Sequence, residues 1–99
     1  MAQYSPLPGY PAVVRDLSLV VDRAVSWAEL EAVVRESAGP LLRGSEYLDT
    51  YPLSDEKQSV HFAMTFRRDD RTLTGEEVDE AVKGVVDAVA KTLGATLRA

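Results

Sequence analysis

The stretch LLRGSEYLDTYPLSDEKQSVHFAMTFR, Leu41 to Arg67, decides how the chain folds. Within it Val60, Phe62, Met64 and Phe66 alternate with Ser59, His61, Ala63, Thr65 and Arg67, the period of a strand with one buried face. The run from Leu41 to Tyr51 reads as a second strand, with Leu42 and Leu48 inward and Arg43, Ser45, Tyr47, Asp49 and Tyr51 outward. Pro52 to Lys57 has the length of a hairpin loop. Two strands joined this closely pair antiparallel, and facing residues share a side of the sheet. That parity predicts Tyr51 opposite Ser59, Asp49 opposite His61 and Tyr47 opposite Ala63.

Helices are expected on both sides of this hairpin. Upstream, Ser26 and Glu29 have capping-box spacing, Leu30, Val33 and Val34 form an apolar stripe, and Gly39-Pro40 ends the helix. Downstream, Thr74 and Glu77 repeat the box. Val78, Ala81, Val82, Val85, Val89 and Leu93 then recur at helical spacing before Gly94, a natural helix stop. A strand from Arg15 to Asp22 precedes the first helix, and Ala95 to Arg98 has room only for a short closing strand. The order is βαββαβ, which predicts an α+β, ferredoxin-like fold: a four-stranded antiparallel sheet with two helices on one face. Met1 to Pro11, with Pro6, Pro8 and Pro11, reads as an N-terminal linker, and residues 12–99 as the domain.

Composition narrows the function classes. Ninety-nine residues suffice for one self-supporting core. With no cysteine, disulfides and thiolate metal sites are excluded, and a cytoplasmic setting is expected. No apolar run approaches the length of a membrane span. The formal charge of −5 excludes a general, non-specific nucleic-acid binder. A local basic patch remains open, because Arg15, Arg43, Arg67, Arg68 and Arg71 lie apart from the acidic helices. One histidine, no cysteine and no Gly-rich strand-to-helix turn leave no nucleophilic or phosphoryl-transfer centre, so no catalytic residue, metal or cofactor is expected in this domain.

The helix-free face should therefore show Tyr47, Asp49, Tyr51, Ser59 and His61, with Arg43 and Arg67 at its far end and Arg71 just beyond. Aromatic rings, a carboxylate and arginines suit a single-stranded RNA base, its edge and its phosphates respectively. The same residues also read as ordinary strand tyrosines and a weak surface ion pair.

Three ordered motifs carry a resemblance. Tyr10-Pro11-Ala12-Val13-Val14-Arg15-Asp16-Leu17-Ser18-Leu19-Val20, Asp49-Thr50-Tyr51 followed by Lys57-Gln58-Ser59-Val60, and Phe66 through Arg71-Thr72-Leu73-Thr74 with Glu77-Val78 resemble the ferredoxin-fold anticodon-binding domain. That domain ends the beta subunit of bacterial phenylalanyl-tRNA synthetases, and the resemblance spans about residues 8 to 98. It implies recognition of the tRNA-Phe anticodon, with Asp49, Tyr51 and Ser59 contacting the first anticodon base. It also implies, as partners, tRNA-Phe, the rest of the beta subunit and the alpha subunit, with no DNA and no membrane. ATP and magnesium would belong to the parent ligase and not to this domain. The hairpin loop departs from the family in lacking glycine, and His61 stands where a small residue is common. Two other readings share the element order: an ACT-type small-molecule regulatory domain, and a structural interaction domain. Asp22-Arg23-Ala24-Val25 lacks the glycine that the ACT reading favours.

Overall fold

The computed structural model describes residues 10–98, so the expected linker, apart from Tyr10 and Pro11, lies outside the described residues. The elements are β1 Val13–Asp22, α1 Trp27–Ala38, β2 Leu42–Pro52, β3 Lys57–Phe66, α2 Gly75–Leu93 and β4 Thr96–Leu97. All three strand pairings are antiparallel, and the spatial order is β2-β3-β1-β4. The fold is the ferredoxin-like one the sequence predicts.

One layer of side chains forms the core. Leu19 and Val21 of β1, and Phe62, Met64 and Phe66 of β3, are closed to solvent beneath Leu30 and Val34 of α1 and Val78, Val85 and Val89 of α2. Each such side chain contributes about 1.5–3 kcal/mol through apolar burial. Both helices cover the same face, which leaves the other side of the sheet without a helix.

The helix ends follow the local chemistry read from the sequence. Ser26 Oγ accepts from Glu29 N at 3.2 Å while Glu29 Oε1 accepts from Ser26 N at 3.1 Å. Thr74 and Glu77 repeat this at 3.2 and 3.0 Å, so two otherwise orphaned amides are satisfied at each start. A 3-10 turn, Gly39–Leu41, links α1 to β2, and Gly39 takes φ 79° there. Gly94 ends α2 at φ 66°, and its N–H reaches the Ala90 carbonyl at 3.1 Å. The hairpin loop turns without glycine because Ser54 Oγ accepts from the Glu56 and Lys57 amides at 3.3 and 3.1 Å.

β2 departs from the expected alternation. Tyr51 pairs with Ser59 and Asp49 with His61, as parity predicts. The register then slips between Tyr47 and Asp49, and again between Leu42 and Gly44. Each bulge adds one residue and moves the side chains that follow to the other face. Tyr47 therefore pairs with Phe62, on the helix side, and not with Ala63, whose partner is Glu46. Ser45 likewise pairs with Met64, and its hydroxyl donates to Glu31 Oε2 of α1 at 3.0 Å. Leu48, expected inward, is the unpaired bulge residue and 43% exposed. β2 is an edge strand, where such bulges also discourage pairing with another sheet.

Candidate nucleic-acid interface

Near the hairpin tip the helix-free face holds a shallow cavity of about 360 Å³, lined by Ser18, Asp49, Tyr51, Ser59, His61 and Arg98. Four segments meet there. The antiparallel register sets Asp49 and Tyr51 of β2 beside His61 and Ser59 of β3. It sets Ser18 of β1 on the far side of His61. Arg98, just past β4, is fixed by its backbone N–H, which donates to the Ser18 carbonyl at 2.8 Å.

The cavity is graded from floor to rim. Ser59 is only 3% exposed, whereas Tyr51 beside it is 61% exposed. An exposed ring next to a buried small polar residue forms a step against which a flat molecule can stack. The Arg98 guanidinium carbon lies over the Tyr51 ring, 5.8 Å from its centroid, within cation–π range. His61 Nε2 stands 3.6 Å from Asp16 Oδ2, too long for a hydrogen bond. Asp49 offers two acceptor oxygens at an exposed position.

The remaining candidates are elsewhere. Tyr47, expected beside Tyr51, packs on the other side of the sheet against Trp27, ring centroids 5.7 Å apart. Arg43 and Arg67 lie at the opposite end of the hairpin, roughly 20–25 Å along β2 from Tyr51. Arg43 sits at the second bulge, where its Nε donates to the Arg67 carbonyl at 3.1 Å and its Nη2 meets Asp69 at 3.3 Å. Arg67 lies past the last residue of β3, half-buried, and its Nε is closed to solvent without a partner among the described residues. Both line a second cavity of about 360 Å³, together with Pro40, Leu41, Arg68, Asp69 and Asp70.

Arg71 is not on this face. It makes a bidentate ion pair with Glu77 at the start of α2. That pair, and next the Thr74 backbone N–H, hold the Glu77 carboxyl down to about 2. The hydrogen bond that Arg71 donates to Glu77 raises the guanidinium in turn. Arg68 is paired with Asp70 at 2.7 and 2.9 Å, which lowers the carboxyl and raises the guanidinium. Much of the apparent basic run is thus neutralised by its own aspartates and Glu77.

The charge distribution favours approach from the sheet side. The two helices carry eight acidic and three basic side chains, so the whole excess of −5 belongs to that layer and the rest of the chain is balanced. Among the described residues there is no grouping of three or more potential metal ligands, and no helix is long and apolar enough to cross a membrane.

Sequence reasoning missed two residues of the cavity. Ser18 was readable, since it shares the polar parity of Asp16 on β1. Arg98 was not, because a two-residue β4 has no periodicity to show which way its neighbour points.

Comparison with known proteins agrees with the fold. A family model described as the ferredoxin-fold anticodon binding domain matches residues 8–98. The chain is 42% identical over 99 residues to the phenylalanine–tRNA ligase beta subunit of Shouchella clausii, covering 97% of this chain and 12% of that protein. It is 41% identical to the corresponding subunit of Anaeromyxobacter dehalogenans and 39% to that of Geobacillus kaustophilus, with the same coverage. The chain thus spans about one eighth of the length of these relatives. With the family model spanning nearly every residue and the predicted hairpin tip in register, the chain belongs to the ferredoxin-fold anticodon-binding domain family.

Proposed function

We propose that the helix-free face of this sheet recognises the anticodon of tRNA-Phe. One observation carries the reading: Asp49, Tyr51 and Ser59, the three positions that parity and family resemblance select independently, line a single cavity. Tyr51 supplies the stacking plane, Asp49 accepts hydrogen bonds from the base edge, and Ser59 provides a small polar floor. His61 and Ser18 complete the wall. Arg43 and Arg67, at the far end of the hairpin, approach the phosphates several nucleotides away. Tyr47 and Arg71 do not contact RNA in this reading, since Tyr47 packs on the helix side against Trp27 and Arg71 is paired with Glu77 at the start of α2, off this face.

The domain acts as a reader within a phenylalanine–tRNA ligase in the cytoplasm. The rest of the beta subunit and an alpha subunit supply the chemistry, with ATP and magnesium bound in those parts. The domain contributes positioning and discrimination, so the chain by itself forms no aminoacyl-adenylate. Its partner is RNA; DNA and membranes are not.

Titration of the chain with tRNA-Phe and with the same tRNA carrying a substituted anticodon tests this. Cognate RNA is expected to bind more tightly. Equal affinity for the two would overturn anticodon recognition by this domain.

A further inference from the structure

Two opposite charges face the same cavity without meeting. Asp49 and Arg98 both line it, yet neither forms an ion pair within 4.0 Å of any partner among the described residues. By contrast, Arg35, Arg43, Lys57, Arg68 and Arg71 each hold a carboxylate within that range. The cavity therefore has an acceptor at Asp49 and a donor at Arg98, with the Tyr51 ring beneath the guanidinium as a stacking plane.

We infer that Arg98 is a specificity-determining residue of this cavity, donating to O6 and N7 of a guanine while Asp49 accepts from its N1–H and N2–H groups. The inference rests on the anticodon-binding reading above. Guanine alone among the standard RNA bases presents two donors on one edge and two acceptors, O6 and N7, on the neighbouring one. Adenine presents an amino donor where guanine has O6, and so sets a donor against the arginine. Pyrimidines lack the N7 position. The planar fork of arginine fits the O6/N7 pair in a way a lysine cannot.

The main chain holds Arg98 where this requires. Its N–H is tied to the Ser18 carbonyl at 2.8 Å, on the strand that forms the cavity's inner wall, and its guanidinium already rests over the Tyr51 ring. An exposed cation–π contact is weak enough to exchange for a base. When the base stacks on Tyr51, the guanidinium slides off the ring to the base edge and keeps its charge beside the stack.

The test uses NMR titration of the 99-residue chain, which follows dissociation constants into the millimolar range. The ligand is a stem-loop RNA bearing the phenylalanine anticodon, made with guanine or with 7-deazaguanine, which lacks the N7 acceptor, at the first anticodon base. A bidentate arginine–guanine contact is worth about 5- to 150-fold in discrimination, so removing N7 should weaken wild-type binding by about 5-fold or more. Arg98→Ala should bind the two RNAs with equal affinity, the cycle assigning the lost interaction to this atom pair. Arg98→Lys, which keeps the charge and leaves the fold untouched if Arg98→Ala does not, should keep the wild-type salt dependence and lose most of the N7 preference.

Three results would overturn the inference. The first is an Arg98→Ala variant that retains the wild-type preference for guanine over 7-deazaguanine. The second is an Arg98→Ala variant that weakens both RNAs alike with a salt slope shallower by about 0.7, the mark of a phosphate contact. The third is a wild type that shows no preference at all. Tyr51→Ala separates the two levels of reading. If that change weakens RNA binding while Arg98→Ala does nothing, only the role of Arg98 fails; if neither matters, the base cavity fails with it.

Discussion

The ring of Tyr47 lies 5.7 Å from that of Trp27, on the side of the sheet opposite Tyr51 four residues along the same strand. Trp27 in turn stands 5.4 Å from Phe62, so the three aromatics form a tilted cluster where α1 begins. Tyr47 is 44% exposed, but its exposure is on the helix side. Such an aromatic pair is worth about 0.5–1.5 kcal/mol. Tyr47→Leu is therefore expected to lower the Tm by a few degrees, on the scale of about 4–8 °C per kcal/mol for a domain of this size. RNA affinity should be unchanged. Thermal melting beside an RNA titration decides it, and an unchanged Tm with weakened RNA binding would return Tyr47 to the binding face.

This pair also marks where the sequence stops being legible. Capping boxes, the stripes on α1 and α2, and the alternation in β3 are local signals, and they place the elements correctly. Asp49 and Tyr51 could be placed because only Thr50 separates them and the hairpin loop fixes their partners. Below Asp49 the strand contains two bulges, at Leu48 and Arg43; Gly44 is a cue only to the second, and no residue type announces the one at Leu48. A bulge is set by packing: it lets Tyr47 reach Trp27 and Ser45 reach Glu31, contacts that a period-two reading of β2 cannot contain. The ion pairs of Arg68 and Arg71 are hidden from the sequence for a related reason. Spacing shows that Arg67, Arg68 and Arg71 are near one another, but Asp70 and Glu77 capture two of them through turns that sequence spacing does not describe.

Gly94 offers a test confined to the backbone. It holds φ 66° at the end of α2, and a Cβ built there meets no atom within 4 Å. The cost of Gly94→Ala is therefore conformational and not steric, about 1–2 kcal/mol for forcing a left-handed residue. Denaturant unfolding should show the midpoint falling with the slope unchanged. An unaltered midpoint would mean that α2 can end another way.

The Arg71–Glu77 pair predicts an acid response. The folded-state carboxyl titrates at about 2, below the ordinary 4.5. A depressed carboxyl adds stability that is fully present above about 4.5 and is lost as pH falls toward about 2. Arg71→Gln removes the largest cause of that depression. The variant should be less stable than wild type at neutral pH, and the gap should narrow as the pH drops through this window. Urea midpoints near neutrality and near pH 3 measure it. A gap that stays constant would show that the ion pair does not couple to folding. Because Arg71 is engaged with Glu77, the same variant should bind RNA as wild type does.

Tyr51 and Asp49 divide the work of recognition in a way substitutions can separate. Tyr51 is 61% exposed, so truncating it removes a stacking plane and leaves the core intact. Stacking is worth about 1–3 kcal/mol, and Tyr51→Ala should weaken cognate RNA by roughly 5- to 150-fold with little change in Tm. Asp49→Asn keeps the size of the side chain but replaces one acceptor oxygen with a donor amide. It should reduce the preference for a guanine-bearing anticodon more than it reduces affinity for RNA in general. Arg67→Ala or Arg43→Ala should behave differently from both, weakening cognate and substituted RNA alike and making the salt dependence shallower, as phosphate contacts do. The same comparison made as kcat/KM in a complete ligase, with wild-type and anticodon-substituted tRNA, reads these effects where the rest of the enzyme adds its own affinity. If Tyr51→Ala left both values unchanged with the fold intact, the anticodon would have to be read on another surface, and the cavity at the hairpin tip would have no part in choosing the tRNA.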